Sequence, residues 1–277
     1  MNANNRAERS RNANAPHFIA SKENDFYKQL KSYQSAKYRK RDKVLIAEGE
    51  KTYVEAKANL NLLATVASED YYAKHAVKLE EENKAVESDQ PKLTVFADNL
   101  FKSISELKTS QGILGIFEQP SFEVELSALR RIVVLEGIQD PKNVGAIIRN
   151  AHCLGYEAVF LTGDCAAPFS PKVIRASMGS VFHLPFVLSS SSEQFIQQII
   201  DLKDAGFTLV GADVSGSEDV PLADKFALIV GNEGSGLTLQ AQKMCDYLFR
   251  IRISEGADSL NAAVASGIAM YVLARDE

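Results

Sequence analysis

The stretch Arg131–Ala151, RIVVLEGIQDPKNVGAIIRNA, decides the fold. Four consecutive apolar residues, Ile132–Leu135, give way to a polar loop containing Asp140-Pro141, and a helical pattern opens near Asn143 and runs from Val144 to Leu154, ending at Gly155. An apolar run of this length without alternation reads as a strand buried on both faces, as in a parallel sheet. The pattern continues downstream. Ala158–Leu161, Leu184–Val187, Phe207–Gly211, Ala227–Val230 and Leu248–Ile251 are further apolar runs, and helical segments fall at Pro171–Ser177, Ser192–Ala205 and Asn261–Arg275. Gly155 and Gly206 close two of these helices, where a left-handed residue is wanted. The expectation is an α/β unit over 128–277 built on a predominantly parallel, helix-covered sheet.

Upstream the texture changes. Of the sixteen glycines, only Gly49 lies in the first 111 residues, so the two halves make different demands on the backbone. A helix is predicted over Asp25–Tyr38, where Phe26, Leu30 and Tyr33 share a face, with strands at Val44–Ala47, Leu62–Ala67, Leu93–Ala97 and Gly112–Phe117. Helical segments at Lys51–Ala58, Tyr71–Lys84 and Asn99–Leu107 separate them. Such alternation predicts a smaller α/β domain over 21–120. Residues 1–20 read as a disordered basic tail, since Met1–Ala15 has no apolar periodicity.

At 277 residues, 45% hydrophobic and 24% charged, the chain has the composition of a globular two-domain protein. Met1–Lys43 carries eleven Lys or Arg against four Asp or Glu, although the whole chain has a net charge of -5. A basic segment on an acidic body fits either contact with a polyanion or a solvated tail. No run approaches the roughly 18 apolar residues of a membrane span, and Met1–Ser21 lacks a signal-peptide core. A cytoplasmic location is expected. Cys153, Cys165 and Cys245 have no paired spacing, so buried thiols are expected rather than disulfides. The histidines show no metal-binding spacing, and no metal is expected.

In a parallel α/β sheet, ligands bind beyond the carboxyl ends of the strands, which singles out three loops. The first leads from Glu136 to Arg149. Asn143 there reads equally as a helix cap, and Arg149, beside Ile147 and Ile148, either serves function or snorkels to solvent. The second is GNEGSGL, Gly231–Leu237. It lacks both the GxxxxGK[ST] and the GxGxxG spacing, and Glu233 would repel a phosphate, so it suits a neutral or cationic ligand or a plain turn. The third is IRISEGADSLNAAVA, Ile251–Ala265, in which Ser259 and Asn261 also read as helix-start residues.

Taken together, DPKNVGAIIRNA (Asp140–Ala151), SPKVIRASMGSVFHLP (Ser170–Pro185), LIVGNEGSGL (Leu228–Leu237) and SLNAAVA (Ser259–Ala265) resemble, in order and spacing, the SpoU (TrmH-type) RNA ribose 2'-O-methyltransferases of the SPOUT superfamily. KYRKRDKVLIAEGEK (Lys37–Lys51) and QGILGIF (Gln111–Phe117) resemble the ends of that family's substrate-binding domain. The resemblance implies a C-terminal trefoil-knotted methyltransferase domain, S-adenosylmethionine as cofactor, and a homodimer with its active site near the subunit contact. It implies large-subunit ribosomal RNA as substrate ahead of transfer RNA. The family's functional residues fall on Asn143, Arg149, Glu233, Ser259 and Asn261. Cofactor contacts fall on Leu228, Gly231, Asn232, Glu233, Gly234, Ile251, Ile253 and Leu260, and RNA contacts on Lys37, Arg39, Lys40 and Arg41.

One departure stands out: the family's usual Ile-Pro-Met is here Ile251-Arg252-Ile253, which frees an N–H and adds a charge at the cofactor wall. Two rival functions differ in what they require. A non-catalytic RNA-binding or assembly factor would keep the fold without turnover, whereas a nucleotide-dependent oxidoreductase would need a dinucleotide glycine pattern after the first strand, which Ile138–Gly145 does not supply.

Overall fold

The computed structural model describes residues 16–84, 93–221, 224–254, 256 and 259–274. The chain divides into two compact units, Met1–Pro120 and Ser121–Glu277.

In the first unit the described residues form β1 (His17–Ile19), α1 (Asp25–Ser32), α2 (Ala36–Asp42), β2 (Val44–Glu48), α3 (Glu50–Asn59), β3 (Leu62–Ser68), α4 (Glu69–Lys84), β4 (Leu93–Phe96), α5 (Asp98–Ile104) and β5 (Ile113–Glu118). The sheet order is β1-β4-β3-β5-β2, with β1 and β3 parallel to β4 and with β5 antiparallel to both β2 and β3. Leu30, Tyr33, Phe96, Leu100, Phe101 and Leu114 fill one core, so large side chains do the packing.

The second unit contains β6 (Arg131–Leu135), α6 (Pro141–Cys153), β7 (Ala158–Thr162), α7 (Pro171–Ser177), β8 (Phe186–Ser189), α8 (Ser192–Asp204), β9 (Thr208–Ser217), β10 (Phe226–Val230), α9 (Leu239–Met244), β11 (Tyr247–Phe249) and α10 (Ala262–Leu273). Its strands pair in parallel in the order β11-β9-β10-β6-β7-β8. Ile132, Val134, Ile229, Leu209 and Phe160 are buried in the sheet centre, as unalternating apolar runs require. The order reverses between β6 and β10, where the register Leu135↔Val230 sets Glu136 beside Gly231. Loops leaving adjacent strands at such a reversal open a crevice.

Three expectations are corrected, and one helix was unforeseen. β1 lies inside the segment expected as tail, with Ile19 buried and paired to Phe96; the rest of that expectation, residues 1–15, lies outside the described residues. The single helix expected to Tyr38 is two. Asn24 caps α1 by accepting from Phe26 and Tyr27 N–H (2.9 and 3.2 Å), and the chain turns at Tyr33–Ser35 before α2 takes up the basic cluster. The helix α9 was not legible, because six residues are too few to show a period. The thiols also differ: burial raises the pKa of Cys165 and pushes that of Cys245 to about 12, but Cys153 is exposed.

Candidate active site

The helix α6 begins one turn earlier than its apolar pattern predicts. Asp140 is its cap, accepting from Lys142 N–H at 2.9 Å, and Pro141 occupies the first turn, where its missing N–H costs nothing. Asn143 is thereby released from capping. Its side chain, buried at 7% exposure, donates through Nδ2 to Glu233 Oε1 (2.9 Å) and accepts at Oδ1 from Asn261 Nδ2 (2.9 Å). Asn261 in turn caps α10, its Oδ1 accepting from the N–H groups of Ala263 and Val264 (3.0 and 3.3 Å). Three loops distant in sequence are thus joined by one chain of amide and carboxylate groups. The primary amide at position 143 donates to a carboxylate through its nitrogen and accepts from another amide at its oxygen at once.

The loop carrying Glu233 is held by backbone. Asn232 and Gly236 exchange N–H···O bonds of 3.0 and 2.9 Å, while the Asn232 side chain donates to Gly137 O (2.6 Å) and accepts from Gly234 N–H (2.9 Å). A Cβ at Gly231 would overlap the backbone of Gly236 and Leu237, so the turn tolerates no side chain there. Below it, buried Glu136 accepts from both the N–H and the hydroxyl of Thr238 (3.0 and 2.7 Å), tying the loop's exit to the end of β6. Sequence reasoning missed Glu136; its signal was a carboxylate directly after an apolar strand.

The remaining expected residues distribute unevenly. Arg149 is exposed and lies six residues beyond Asn143, roughly 120° around the helix and about 9 Å along it. It is outside the hydrogen-bonded set. Ser259 is exposed, two residues before Asn261. Leu228 is fully buried in β10 and paired on both sides, to Val133 and Val210, so neither its side chain nor its backbone faces a ligand, whereas Leu260 is 38% exposed. The segment after β11 alternates: Ile251 and Ile253 are half-buried, and Arg252 and Ser254 are exposed. Arg252, where the family it resembles has proline, therefore faces solvent between two half-buried isoleucines. Half-buried Ile251 and Ile253 and exposed Leu260 fit a ligand with a flat apolar part. Glu233 offers a carboxylate to a cation or a hydroxyl and repels a phosphate.

In the first unit, the basic cluster is on α2. Arg39 is buried and donates to Tyr33 O, and desolvation lowers its pKa, so its guanidinium serves the fold and not an RNA surface. Arg41 chelates Asp42 (2.6 and 2.9 Å) and lies over the Tyr38 ring, 5.0 Å from its centroid. Lys37 and Lys40 are exposed.

Beside the Asn143 network, α6 and α10 enclose a groove of about 730 Å³ lined by Asn143, Ala146, Asn150, Asn261, Gly267 and Tyr271, among others. Val264, Ile268 and Tyr271 form an exposed apolar stripe along α10, with exposed Leu260 just before the helix. No group of His, Cys, Asp and Glu among the described residues is placed to hold a metal, and none of their helices is long and apolar enough to cross a membrane.

Comparison with known proteins gives a consistent result. The model of the SpoU rRNA Methylase family matches residues 130–271, and that of the MRM3-like substrate binding domain matches 24–115. The 23S rRNA (guanosine(2553)-2'-O)-methyltransferase RlmP of Bacillus subtilis is 28% identical over 92% of this chain and 98% of its own length. The uncharacterized tRNA/rRNA methyltransferase Rv0881 of Mycobacterium tuberculosis is 34% identical over 58% of this chain and 59% of its own. Among solved structures, an AdoMet-bound rRNA methyltransferase from Sinorhizobium meliloti superposes with a TM-score of 0.78 at 26% identity, covering 92% of this chain and 95% of that one.

Proposed function

The chain belongs to the SpoU rRNA Methylase family, and from that premise we propose that it transfers a methyl group from S-adenosylmethionine to a ribose 2'-hydroxyl of large-subunit ribosomal RNA. The observation that carries this reading is the Glu233–Asn143–Asn261 network, in which residues from three separate matched motifs close on one another in a domain of that family. The MRM3-like match over 24–115 and the name of the B. subtilis relative support a ribosomal RNA substrate.

The cofactor supplies an electrophilic methyl on a sulfonium. Gly231–Gly236 would hold it through backbone groups, and Ile251, Ile253 and Leu260 would form its apolar wall. Glu233, oriented by Asn143, accepts a hydrogen bond from a ribose hydroxyl and so aligns the 2'-oxygen. Arg149 binds a phosphate of the target nucleotide and stabilises the oxygen as its proton leaves; its very high pKa makes it unsuited to act as the base, and a phosphate oxygen or water takes the proton.

Because Arg149 stands apart from the network within one chain, the reading includes a homodimer with the site beside the subunit contact. The apolar stripe on α10 and the groove next to it support this arrangement. A trefoil knot is part of the same reading, supported by the match to the SpoU rRNA Methylase family. The same reading places the protein in the cytoplasm. Lys37, Lys40 and Arg41 contact phosphate. The test is transfer of labelled methyl from S-adenosylmethionine to ribosomal RNA, followed by mapping of ribose methylation in cells lacking the protein. RNA binding without any transfer would favour the assembly-factor reading instead.

A further inference from the structure

α6 and α10 also meet at Asn150 and Gly267, away from the hydrogen-bonded set of Asn143, Glu233 and Asn261. Asn150 Nδ2 donates to Ala263 O at 3.1 Å, in the first turn of α10. A Cβ on Gly267, one turn further along α10, would lie 2.7 Å from that same Nδ2 and 3.4 Å from Cγ of Asn150. The amide of Asn150 therefore occupies the space that the missing side chain of Gly267 leaves. Glycine is a poor helix residue, and α10 is otherwise rich in Ala, Val, Ile and Leu, so its presence at 267 has a local cost that the close approach offsets. Asn261 is the cap of this same first turn, bonding to the N–H groups of Ala263 and Val264 while its Nδ2 reaches Asn143. A shift of that turn relative to α6 moves the Asn261 amide relative to Asn143.

We infer that Asn150 and Gly267 form a latch that positions Asn261, and through it Asn143 and Glu233, for the methyl-transfer step. This rests on the proposed methyltransferase function. Asn150 is a positioning residue, since it touches neither reacting group and acts through the start of α10. Hydrogen bonds fall off steeply with distance and angle, so a displacement of a few tenths of an ångström at Ala263 weakens the 2.9 Å contact between Asn261 and Asn143. Misplacement of this kind affects alignment more than affinity.

The experiment uses the full chain with N150A, G267A and the double variant, measuring kcat and KM for RNA, S-adenosylmethionine affinity, melting temperature, and amide exchange at Ala263 and Val264. Expected for N150A is a kcat lower by about tenfold, with KM and cofactor affinity within about twofold. G267A, which pushes the Asn150 amide off Ala263 O, should lower kcat comparably although alanine improves the helix, and its melting temperature should not fall. The double variant should be no slower than N150A, because the side chain that G267A displaces is already gone. Exchange at Ala263 and Val264 should quicken in both single variants. Unchanged kcat and exchange in N150A, or losses in the single variants that simply multiply in the double, would overturn the latch. If the wild type itself transfers no methyl, the functional reading fails while the exchange comparison still decides whether Asn150 holds Asn261.

Discussion

The two units solve the same packing problem with different residues. The first fills its interior with Phe96, Phe101, Leu100 and Tyr33, and its sheet mixes parallel and antiparallel pairs. The second keeps an all-parallel sheet, and at Gly231 it is backbone, that of Gly236 and Leu237, that fills the place of a Cβ, whereas the atoms crowding Gly112 and Gly115 in the first unit belong to the side chains of Ser68, Tyr71, Tyr53 and Phe117. A surface that grips a long polymer needs charge and shape, and tolerates approximate placement. Methyl transfer needs atoms aligned to within fractions of an ångström, and close backbone approach holds loops more rigidly than flexible side chains do.

Several changes would break or sharpen this contrast. The largest effect is expected from R149A, which should cut kcat by about 100-fold or more with S-adenosylmethionine affinity unchanged; a rate near wild type would remove Arg149 from the site. Next is G231A. Its Cβ has no room in the turn, so it should cost about 1–3 kcal/mol of stability in a denaturant titration and weaken cofactor binding, whereas a comparable change on the surface of the first unit should do neither.

N143D keeps the shape of Asn143 but sets a carboxylate against Glu233, and about a tenfold fall in kcat is expected, with N143D slower than N143A. In the first unit, K37A/K40A should raise KM for RNA several-fold, leave kcat alone and lower the salt dependence of binding by about two counterions' worth, measured as the slope of log affinity against log salt. The smallest effect is expected for R252P, which alters an exposed position between two half-buried isoleucines. Its cofactor affinity, measured by calorimetry, should stay within about twofold; a larger loss would mean that Arg252 reaches the cofactor.

The contrast also explains what could be seen in advance. Except for α9, the elements of the second unit were legible because unalternating apolar runs and helix-ending glycines are local signals, and the observed strands fall within a few residues of those predicted, apart from the longer β9. Asn143, Glu233 and Asn261 could be named from the motifs, but not their contact. Asn143 reads equally well as a cap until Asp140 is seen to cap α6 in its place. Arg39 misled for a related reason. A basic run looks uniform in sequence, while α2 turns one guanidinium inward to Tyr33 and leaves Lys37 and Lys40 outside.

What the sequence by itself determined was the division into a basic, glycine-poor half and a glycine-rich α/β half, together with the residue types able to hold a sulfonium cofactor and a ribose hydroxyl. These depend on composition, period and short-range spacing, which a linear chain carries directly. Only the tertiary structure decided which of those residues meet: the strand reversal between β6 and β10 brings residues 143, 233 and 261 together, and helical geometry sets Arg149 apart from them. Contacts across 90 and 118 residues depend on register and helix packing, and no local pattern encodes them.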